Sequence, residues 1–151
     1  MITKMEITNP QLAAAVLQVQ FQAYRVEAQL INCDNIPPLK DTVKTLQQCG
    51  EQFYGYYLNN ELTGIISFKN ENDVIDIHRL FVHPNYFKKG IAQSLLDFIQ
   101  HNETGFKKII VTTASRNLPA INLYLKKGFS KARDIQVSNH LSLTLFEKNS
   151  S

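Results

Sequence analysis

The pattern of apolar and polar positions in the first third of the chain predicts one strand and two helices. Side chains alternate between apolar and polar from Met1 to Thr8, which predicts an edge strand that ends at Asn9-Pro10. Apolar residues then recur at helical spacing to about residue 30, and this predicts an amphipathic helix. A loop over residues 32–38 precedes a short second helix that ends at Gly50. The apolar stripe of the first helix is expected to consist of Leu12, Val16, Val19, Ala23, Val26 and Leu30.

From Phe53 onward the pattern changes to the period of strands, with two further helices between them. The twin asparagines Asn59-Asn60 and the polar run 70–73 predict turns between three consecutive strands. Together with the edge strand, the pattern predicts one mixed sheet of about seven strands with helices on both faces, an α/β fold. The predicted strands are Phe53–Leu58, Leu62–Phe68, Val74–Val82, Phe106–Thr113, Phe129–Val137 and Leu141–Phe146, and the predicted helices run from about Lys88 to His101 and from Asn117 to Lys127.

Length, charge and apolar content limit the classes of function. A chain of 151 residues with 44% apolar residues is large enough for one domain with a core, so residues 1–151 are expected to form a single domain. The net charge of +3 is mild and its lysines are dispersed, which argues against a nucleic-acid binder. No apolar run approaches a membrane span and the first residues lack a secretory pattern, so we expect a cytoplasmic protein without a membrane partner.

The cysteine pattern predicts free thiols and no metal site. Cys33 and Cys49 are the two cysteines, they form no CxxC pair, and no histidine stands at metal-ligand spacing from them. Cys33 lies in a predicted loop, where a nucleophilic thiol is the alternative to an inert one.

The segment from His78 to Leu96 has the order of parts that binds phosphate. A buried strand is followed by a basic turn that contains Gly90, and an amphipathic helix begins after the turn. The first N–H groups of a helix have no partner inside the helix and carry partial positive charge, so a glycine-bearing turn before them suits a pyrophosphate. Lys88 and Lys89 add positive charge at the same place.

The same segment resembles the coenzyme A motif of the GNAT superfamily of acyl-CoA-dependent N-acyltransferases. That motif runs strand, Pro, then Q/R-x-x-G-x-G/A at the start of a helix. Gly90 and Ala92 stand at its two small-residue positions, and Phe87 stands where Gln or Arg is expected. Lys88 can supply the charge that Phe87 lacks. The resemblance implies that coenzyme A is bound by Phe87, Lys88, Lys89, Gly90, Ile91, Ala92, Gln93 and Ser94.

A second block, from Ser115 to Phe129, resembles the family pattern N-x-x-A-x-x-x-Y-x-x-x-G-F with every named position filled. On a helix, Asn117, Ala120 and Tyr124 lie on neighbouring turns and can meet one ligand. The two blocks place residues 74–129 as the acyl-CoA-binding core, and the resemblance extends over about residues 50–147. It implies a GNAT fold with a mostly antiparallel mixed sheet.

The chemistry that the resemblance implies is direct transfer of an acetyl group from acetyl-CoA to an amine, without a metal. Tyr124 is then the general acid, although an aromatic residue at helical spacing is commonly a core residue. Asp76 and His78 share one face of a regular strand and are the candidate bases. The structural alternatives are that Asp76 pairs with Arg79 or lies in solvent, and that His78 is a half-buried sheet residue.

The strand before the phosphate turn has its own implied role. If it splays from the next strand, as in the family, backbone groups of Leu80, Phe81 and Val82 hold the pantetheine arm. The alternative is an ordinary central strand, in which these groups bond to a neighbour.

The acceptor is expected to bind to residues 1–50, as in related enzymes. Three acids are available to attract a cationic amine and four tyrosines to line an aromatic wall: Glu27, Asp34, Asp41, Tyr24, Tyr54, Tyr56 and Tyr57. The expected partner is therefore a small-molecule or peptide amine, and the family allows a homodimer. Two alternatives are an acyl-CoA-binding sensor or partner-binding module without turnover, and, less well supported by the charge, an RNA-directed acetyltransferase.

Overall fold

The structure is a computed structural model that describes residues 1–150. The chain forms one mixed sheet, and helices cover both of its faces. The strands are β1 (Ile2–Met5), β2 (Gln52–Leu58), β3 (Glu61–Glu71), β4 (Val74–Val82), β5 (Lys108–Ala114), β6 (Ser130–Gln136) and β7 (Ser142–Asn149). The helices are α1 (Pro10–Leu30), α2 (Val43–Gln48), α3 (Ile91–Asn102) and α4 (Leu118–Lys126), with short 3₁₀ turns at Pro37–Lys40 and Pro84–Tyr86.

The seven strands lie in the order β1-β2-β3-β4-β5-β7-β6. Every neighbouring pair is antiparallel except β4 and β5, which run parallel because α3 connects them. The predicted fold class, an α/β fold with a mostly antiparallel sheet of about seven strands, is therefore confirmed.

Each face of the sheet buries its own core. On one face α1 and α2 cover Phe53, Ile65 and Phe81. On the other face α3 covers Ile66 and Phe68, in one cluster with residues of β4, β5, β7 and α4. The two helix layers hold the middle strands of the sheet between them, so the end of β4 is fixed from both sides.

Some predicted boundaries are wrong for reasons of backbone conformation. The helix expected from about Lys88 begins at Ile91, because Lys88 (φ 63°) and Gly90 (φ 76°) take the left-handed conformation, which ends an α-helix. The second helix does not begin at Leu39 as one unit. Asp41 is extended, and α2 starts after the side-chain cap of Thr42, whose hydroxyl accepts from the Thr45 N–H.

The inward face of α1 also differs from the predicted stripe. Val26 and Leu30 are exposed, at 37% and 51%, whereas Ala28 and Ile31 are buried. At 3.6 residues per turn, the position that follows Ala23 on the inward face is residue 27 and not residue 26. This register turns the carboxylate of Glu27 toward the sheet.

We expect Gly64→Ala to lower the free energy of unfolding by about 1–3 kcal/mol, the usual cost of overpacking. A Cβ at Gly64 would stand 2.7 Å from Cγ2 of Ile91, a stiff β-branched side chain on the first residue of α3. Gly55→Ala is the matched control, because its Cβ meets the flexible ends of Met5 and Leu62 and these can move aside. Urea unfolding of both variants measures the difference, and equal stabilities would contradict the close packing of α3 on β3.

The cysteines and the helices agree with two further predictions. Both cysteines are free thiols, as predicted, with Cys33 and Cys49 half-buried. Among residues 1–150, no helix combines the length and the apolar character needed to cross a bilayer.

Candidate active site

A cleft opens in the middle of the sheet where β4 and β5 separate. The two strands pair from Val74 with Lys108 to Ile77 with Val111, and the pairing stops there. Beyond it, β4 stays bonded to β3 as far as Val82, while β5 stays bonded to β7 as far as Ala114. The expectation that this strand splays from the next one is confirmed.

The separation begins at a β-bulge on β4. Ser67 of β3 faces Arg79 and the next residue, Phe68, faces Ile77, so His78 is the extra residue. A bulge bends its strand and increases the local twist, which accounts for the departure of β4 from β5 at this point. The prediction of a regular strand at Asp76 and His78 is therefore wrong.

The bulge also sets which backbone groups of β4 face the cleft. The N–H of His83 donates to the carbonyl of Thr63 on β3, at 2.7 Å. Because N–H and C=O directions alternate along a strand, Phe81 also points to β3 and the groups of Leu80 and Val82 point to the side that β5 has left. Of the three predicted backbone contacts, the structure places two on the cleft side and Phe81 on the other.

The cleft has a volume of about 230 Å³. Its lining comes from α1, from the 3₁₀ turn Pro37–Lys40, from α4 and from the separated ends of β4 and β5. The side chains with chemistry to offer are Tyr24, Glu27, His78, Arg79, Asn117 and Tyr124. Ala120 and Leu80 are also part of the lining, as the sequence predicted for binding residues.

Tyr124 lies at the inner end of the cleft and is 4% exposed. Its ring packs against Phe129 and Phe146, each with a centroid distance of 5.7 Å, which fixes the direction of the hydroxyl. Burial, and after it the charge of Glu27, raises the pKa of Tyr124 well above its ordinary value of 10.0. Tyr124 is therefore a core aromatic residue, which was the alternative to a catalytic role, and it also presents a protonated hydroxyl to the cleft.

Glu27 faces Tyr124 from α1 and is the main functional candidate that the sequence analysis missed as a base. Asn117, the N-cap of α4, donates from Nδ2 to its Oε1 at 2.8 Å, and its own Oδ1 accepts from the Ala120 N–H. Burial raises the pKa of Glu27 to about 6, against the lowering effect of the bond from Asn117. The signal was its position on the inward face of α1, four residues after Ala23.

His78 lines the cleft between two carboxylates. Its Nδ1 lies 3.3 Å from Oε2 of Glu51, and its Nε2 lies 3.4 Å from Oδ2 of Asp76. Asp76 is not part of the cleft lining and reaches it through His78. Burial raises the pKa of Asp76, while the neighbouring His78 lowers it. The two side chains are therefore neighbours, although the bulge at His78 interrupts the regular strand that was predicted.

Arg79 lines the cleft and is held in an ion-pair network. Its guanidinium bonds to Glu51, and its Nη2 lies 3.0 Å from Oδ2 of Asp41. Gln20 donates from Nε2 to Oδ2 of Asp41 at 2.7 Å. Ser67 donates from its hydroxyl to Oε1 of Glu51, also at 2.7 Å. Arg79 therefore pairs with these two acids and not with Asp76, and both of its charge partners help to fix the bulge.

The glycine-bearing turn lies before α3 and is exposed. Phe87, at 42% exposure, ends the 3₁₀ turn, and Lys88, Lys89 and Gly90 follow it into solvent. The first intrahelical bond of α3 runs from the Ser94 N–H to the Gly90 carbonyl at 3.0 Å, so the N–H groups of residues 91–93 have no carbonyl of their own helix to bond. A Cβ at Gly90 would meet nothing within 4 Å.

The acceptor residues expected from the sequence separate into two groups. Tyr24 and Glu27 line the cleft, whereas Asp34 and Asp41 and the three tyrosines of β2 lie outside the lining. Tyr54 packs on Phe98 and Phe68 under α3, so its aromatic ring serves the core.

Comparison with known proteins agrees with this geometry. A sequence model described as "Acetyltransferase (GNAT) family" matches residues 16–129. The chain therefore belongs to the acetyltransferase (GNAT) family, a family of acyltransferases. The curated "UPF0157 protein YqkA" of Bacillus subtilis (strain 168) is 41% identical over 147 residues, which cover 97% of this chain and 43% of that protein. This chain thus corresponds to less than half the length of that relative.

Solved structures show the same fold at low sequence identity. An acetyltransferase from Thermus thermophilus superposes with a TM-score of 0.80 at 17% identity, over 99% of this chain and 97% of that one. The PaiA N-acetyltransferase of Thermoplasma acidophilum, solved in complex with coenzyme A, gives a TM-score of 0.77 at 16% identity, over 99% and 98%.

Proposed function

We propose that the chain transfers an acetyl group from acetyl-CoA directly to a primary amine of a small molecule or peptide. The cleft between β4 and β5 is the observation that supports this most strongly. It brings a protonated hydroxyl, Tyr124, and a carboxylate of raised pKa, Glu27, into the lining of one cavity. Amine acetylation needs an acid and a base in this arrangement.

The residues around the cleft fit coenzyme A. The edge of β4 beyond Ile77 offers the backbone groups of Leu80 and Val82 to an extended pantetheine chain. The turn before α3 offers free N–H groups, and the open space at Gly90 lets a pyrophosphate approach the backbone. Lys88 and Lys89 add charge, Phe87 to Ser94 surround the same turn, and Asn117 and Ala120 face the cleft from α4.

Glu27 and Tyr124 have complementary roles in this proposal. The thioester supplies an activated acetyl group, and the reaction forms a C–N bond and breaks a C–S bond. An alkyl amine with a pKa near 10 is protonated at neutral pH, so its proton must be removed before attack. Glu27 accepts that proton, directly or through a water, and releases it to solvent. Tyr124 donates a proton to the departing sulfur, and the second proton, which the nitrogen loses as the amide forms, restores the hydroxyl of Tyr124.

His78 and Asp76 are the second candidate for the base. The imidazole of His78 lines the cleft, and Asp76 receives a proton only by way of that ring. Glu51 on the other ring nitrogen holds the imidazole in place. Variants that remove one route while the other stays intact decide between the two.

Glu27→Gln is expected to lower kcat/KM for the amine by about 10²-fold, the usual scale for loss of a general base. The amide still accepts the bond from Asn117, so the cleft keeps its shape. In the unmodified chain, kcat/KM should fall as the pH drops through about 6, because protonated Glu27 accepts no proton. In Glu27→Gln, kcat/KM should no longer fall as the pH drops through about 6.

Amine-dependent consumption of acetyl-CoA, followed from pH 5 to pH 9, provides the measurement. Glu6→Gln, on the exposed surface between β1 and α1, is the matched control and should leave the profile unchanged. If Glu27→Gln keeps full activity and His78→Gln loses it, the base is the His78 and Asp76 pair.

The proposed partners follow from the same geometry. Residues 1–50 supply the acceptor side of the cleft through Tyr24, Glu27 and the 3₁₀ turn Pro37–Lys40. Residues 74–129 supply the acyl-CoA side. A cytoplasmic location and a homodimer stay predictions from the sequence and its family resemblance.

A further inference from the structure

A second cavity adjoins the cleft at the C-terminal end of α1. It has a volume of about 190 Å³ and shares Ile31, Ala114 and Leu141 with the lining of the first. Its other walls are polar and come from the start of the segment that leads into α4 and from the loop between β6 and β7. They consist of Ser115, Arg116, Gln136, Asn139, His140 and Ser142.

The two adjoining cavities differ in their charged groups. The first contains the carboxylate of Glu27 together with Arg79, whereas the second contains the guanidinium of Arg116 and no carboxylate. Within residues 1–150, Arg116 forms no ion pair, and its one hydrogen bond donates from Nη1 to the Ile31 carbonyl at 3.4 Å. Four of its five N–H donors are therefore free for a ligand. The charge of Arg79, in contrast, is paired with two carboxylates, those of Asp41 and Glu51.

The two charged groups are held close together by the backbone. Ile31, the C-cap of α1, follows Glu27 by four residues, which is roughly 6 Å along the helix axis. Arg116 precedes Asn117, the residue that bonds to Glu27. A ligand with a cationic and an anionic end a few bonds apart can therefore occupy both cavities at once.

We propose that the acceptor is an aminocarboxylate whose amine lies at Glu27 and whose carboxylate is bound by Arg116. This inference rests on the proposed acetyl transfer and adds the class of its acceptor. A planar guanidinium binds a carboxylate through two parallel N–H bonds, which fixes direction as well as charge. His140 and the amides of Gln136 and Asn139 offer further donors in the same cavity.

The competing explanation is that Arg116 only caps α1. The last turn of α1 has no basic residue, and the bond to Ile31 satisfies a carbonyl at its C-terminus. A cap alone would make Arg116 important for stability and leave the choice of acceptor unaffected. The test therefore has to compare acceptors and not total activity.

The experiment measures kcat/KM at saturating acetyl-CoA for ω-aminocarboxylates of two to six carbons, beside n-alkylamines and diamines of matched length. The unmodified chain should prefer an aminocarboxylate. Arg116→Gln should lower its kcat/KM by about 10- to 100-fold, the cost of removing one partner of a charge pair, and change that of the n-alkylamine by less than about twofold. Arg133→Gln, on the exposed edge strand β6, is the matched control and should change neither.

Three results would overturn or redirect the inference. If Arg116→Gln lowers kcat/KM equally for aminocarboxylates and n-alkylamines, Arg116 is only a helix cap. A preference of the unmodified chain for diamines refutes the carboxylate-binding site. If no amine is acetylated, the proposed acetyl transfer is refuted, and carboxylate binding by Arg116 is tested on its own. The test is then calorimetric titration of the coenzyme A-loaded protein with 5-aminopentanoate. Binding that Arg116→Gln abolishes supports the site, and absent binding refutes it.

Discussion

Gly90→Asp is expected to weaken the binding of acetyl-CoA by about 100-fold or more and to leave the fold intact. The new carboxylate would enter the turn whose N–H groups are proposed to hold the pyrophosphate, and like charges at contact distance repel strongly. A side chain at Gly90 has room, because a Cβ there meets nothing within 4 Å, but a φ of +76° strains any residue other than glycine. Asp also tolerates the left-handed conformation better than most residues and caps helices well.

Gly105→Asp separates this effect from backbone strain. Gly105 has a φ of +78°, against +76° for Gly90, and a Cβ there also meets nothing within 4 Å. It lies in the turn between α3 and β5, at the opposite end of α3. Calorimetric titration with acetyl-CoA should show full affinity for Gly105→Asp and greatly reduced affinity for Gly90→Asp. Unchanged affinity in both variants would refute the placement of the pyrophosphate site.

Tyr124→Phe should lower kcat by about 10²- to 10⁴-fold, the range for loss of a general acid. The ring contacts with Phe129 and Phe146 need no hydroxyl, so the core of the variant stays packed. Because its pKa lies well above 10, Tyr124 is protonated through the physiological range, which is the state that a general acid needs before it reacts. The dissociation constant of acetyl-CoA should change by less than about twofold.

Tyr54→Phe is the control for loss of a buried tyrosine hydroxyl. Its hydroxyl accepts a weak bond from Asn102 at 3.3 Å and lies outside the cleft. Stopped activity assays of both variants give kcat. Titration of each variant with acetyl-CoA gives its affinity for acetyl-CoA. Full kcat in Tyr124→Phe would remove the residue from the chemistry and leave it as a core aromatic.

The pattern of side chains predicted most of the fold because it repeats over many residues. Seven strands and the two main cores follow from the period of apolar positions, and small errors at element ends reflect single backbone conformations such as that of Lys88. A bulge involves one extra residue in a strand and leaves the apolar pattern nearly unchanged. The irregularity at His78, which opens the cleft, was therefore not visible in the sequence.

The site was predictable where residues are close in the chain and not where the fold joins distant ones. The glycine-bearing turn and the helix with Asn117 and Tyr124 are local patterns, so their positions were found directly. The bond between Glu27 and Asn117 joins residues 90 positions apart. The pairing of Arg79 with Asp41 likewise joins two distant parts of the chain, and single-sequence patterns carry no such information.

The ion-pair network of Arg79 gives the cleft its rigidity. Glu51 and Asp41 come from opposite ends of α2, so the network ties this helix to the bulge of β4. Ser67 adds a bond from β3 to Glu51. His78 is thereby presented to the cleft by a fixed backbone, which a site for acid and base chemistry needs.

Direct acetyl transfer in the cleft between β4 and β5 can be tested by two-substrate kinetics with identification of the product by mass. We expect an acetylated amine to form in step with free coenzyme A, the double-reciprocal lines to intersect, and the mass of the enzyme to stay unchanged during turnover. Saturable binding of acetyl-CoA without turnover of any amine would instead identify an acyl-CoA sensor. Parallel lines with an acetylated Cys33 or Cys49 would contradict direct transfer.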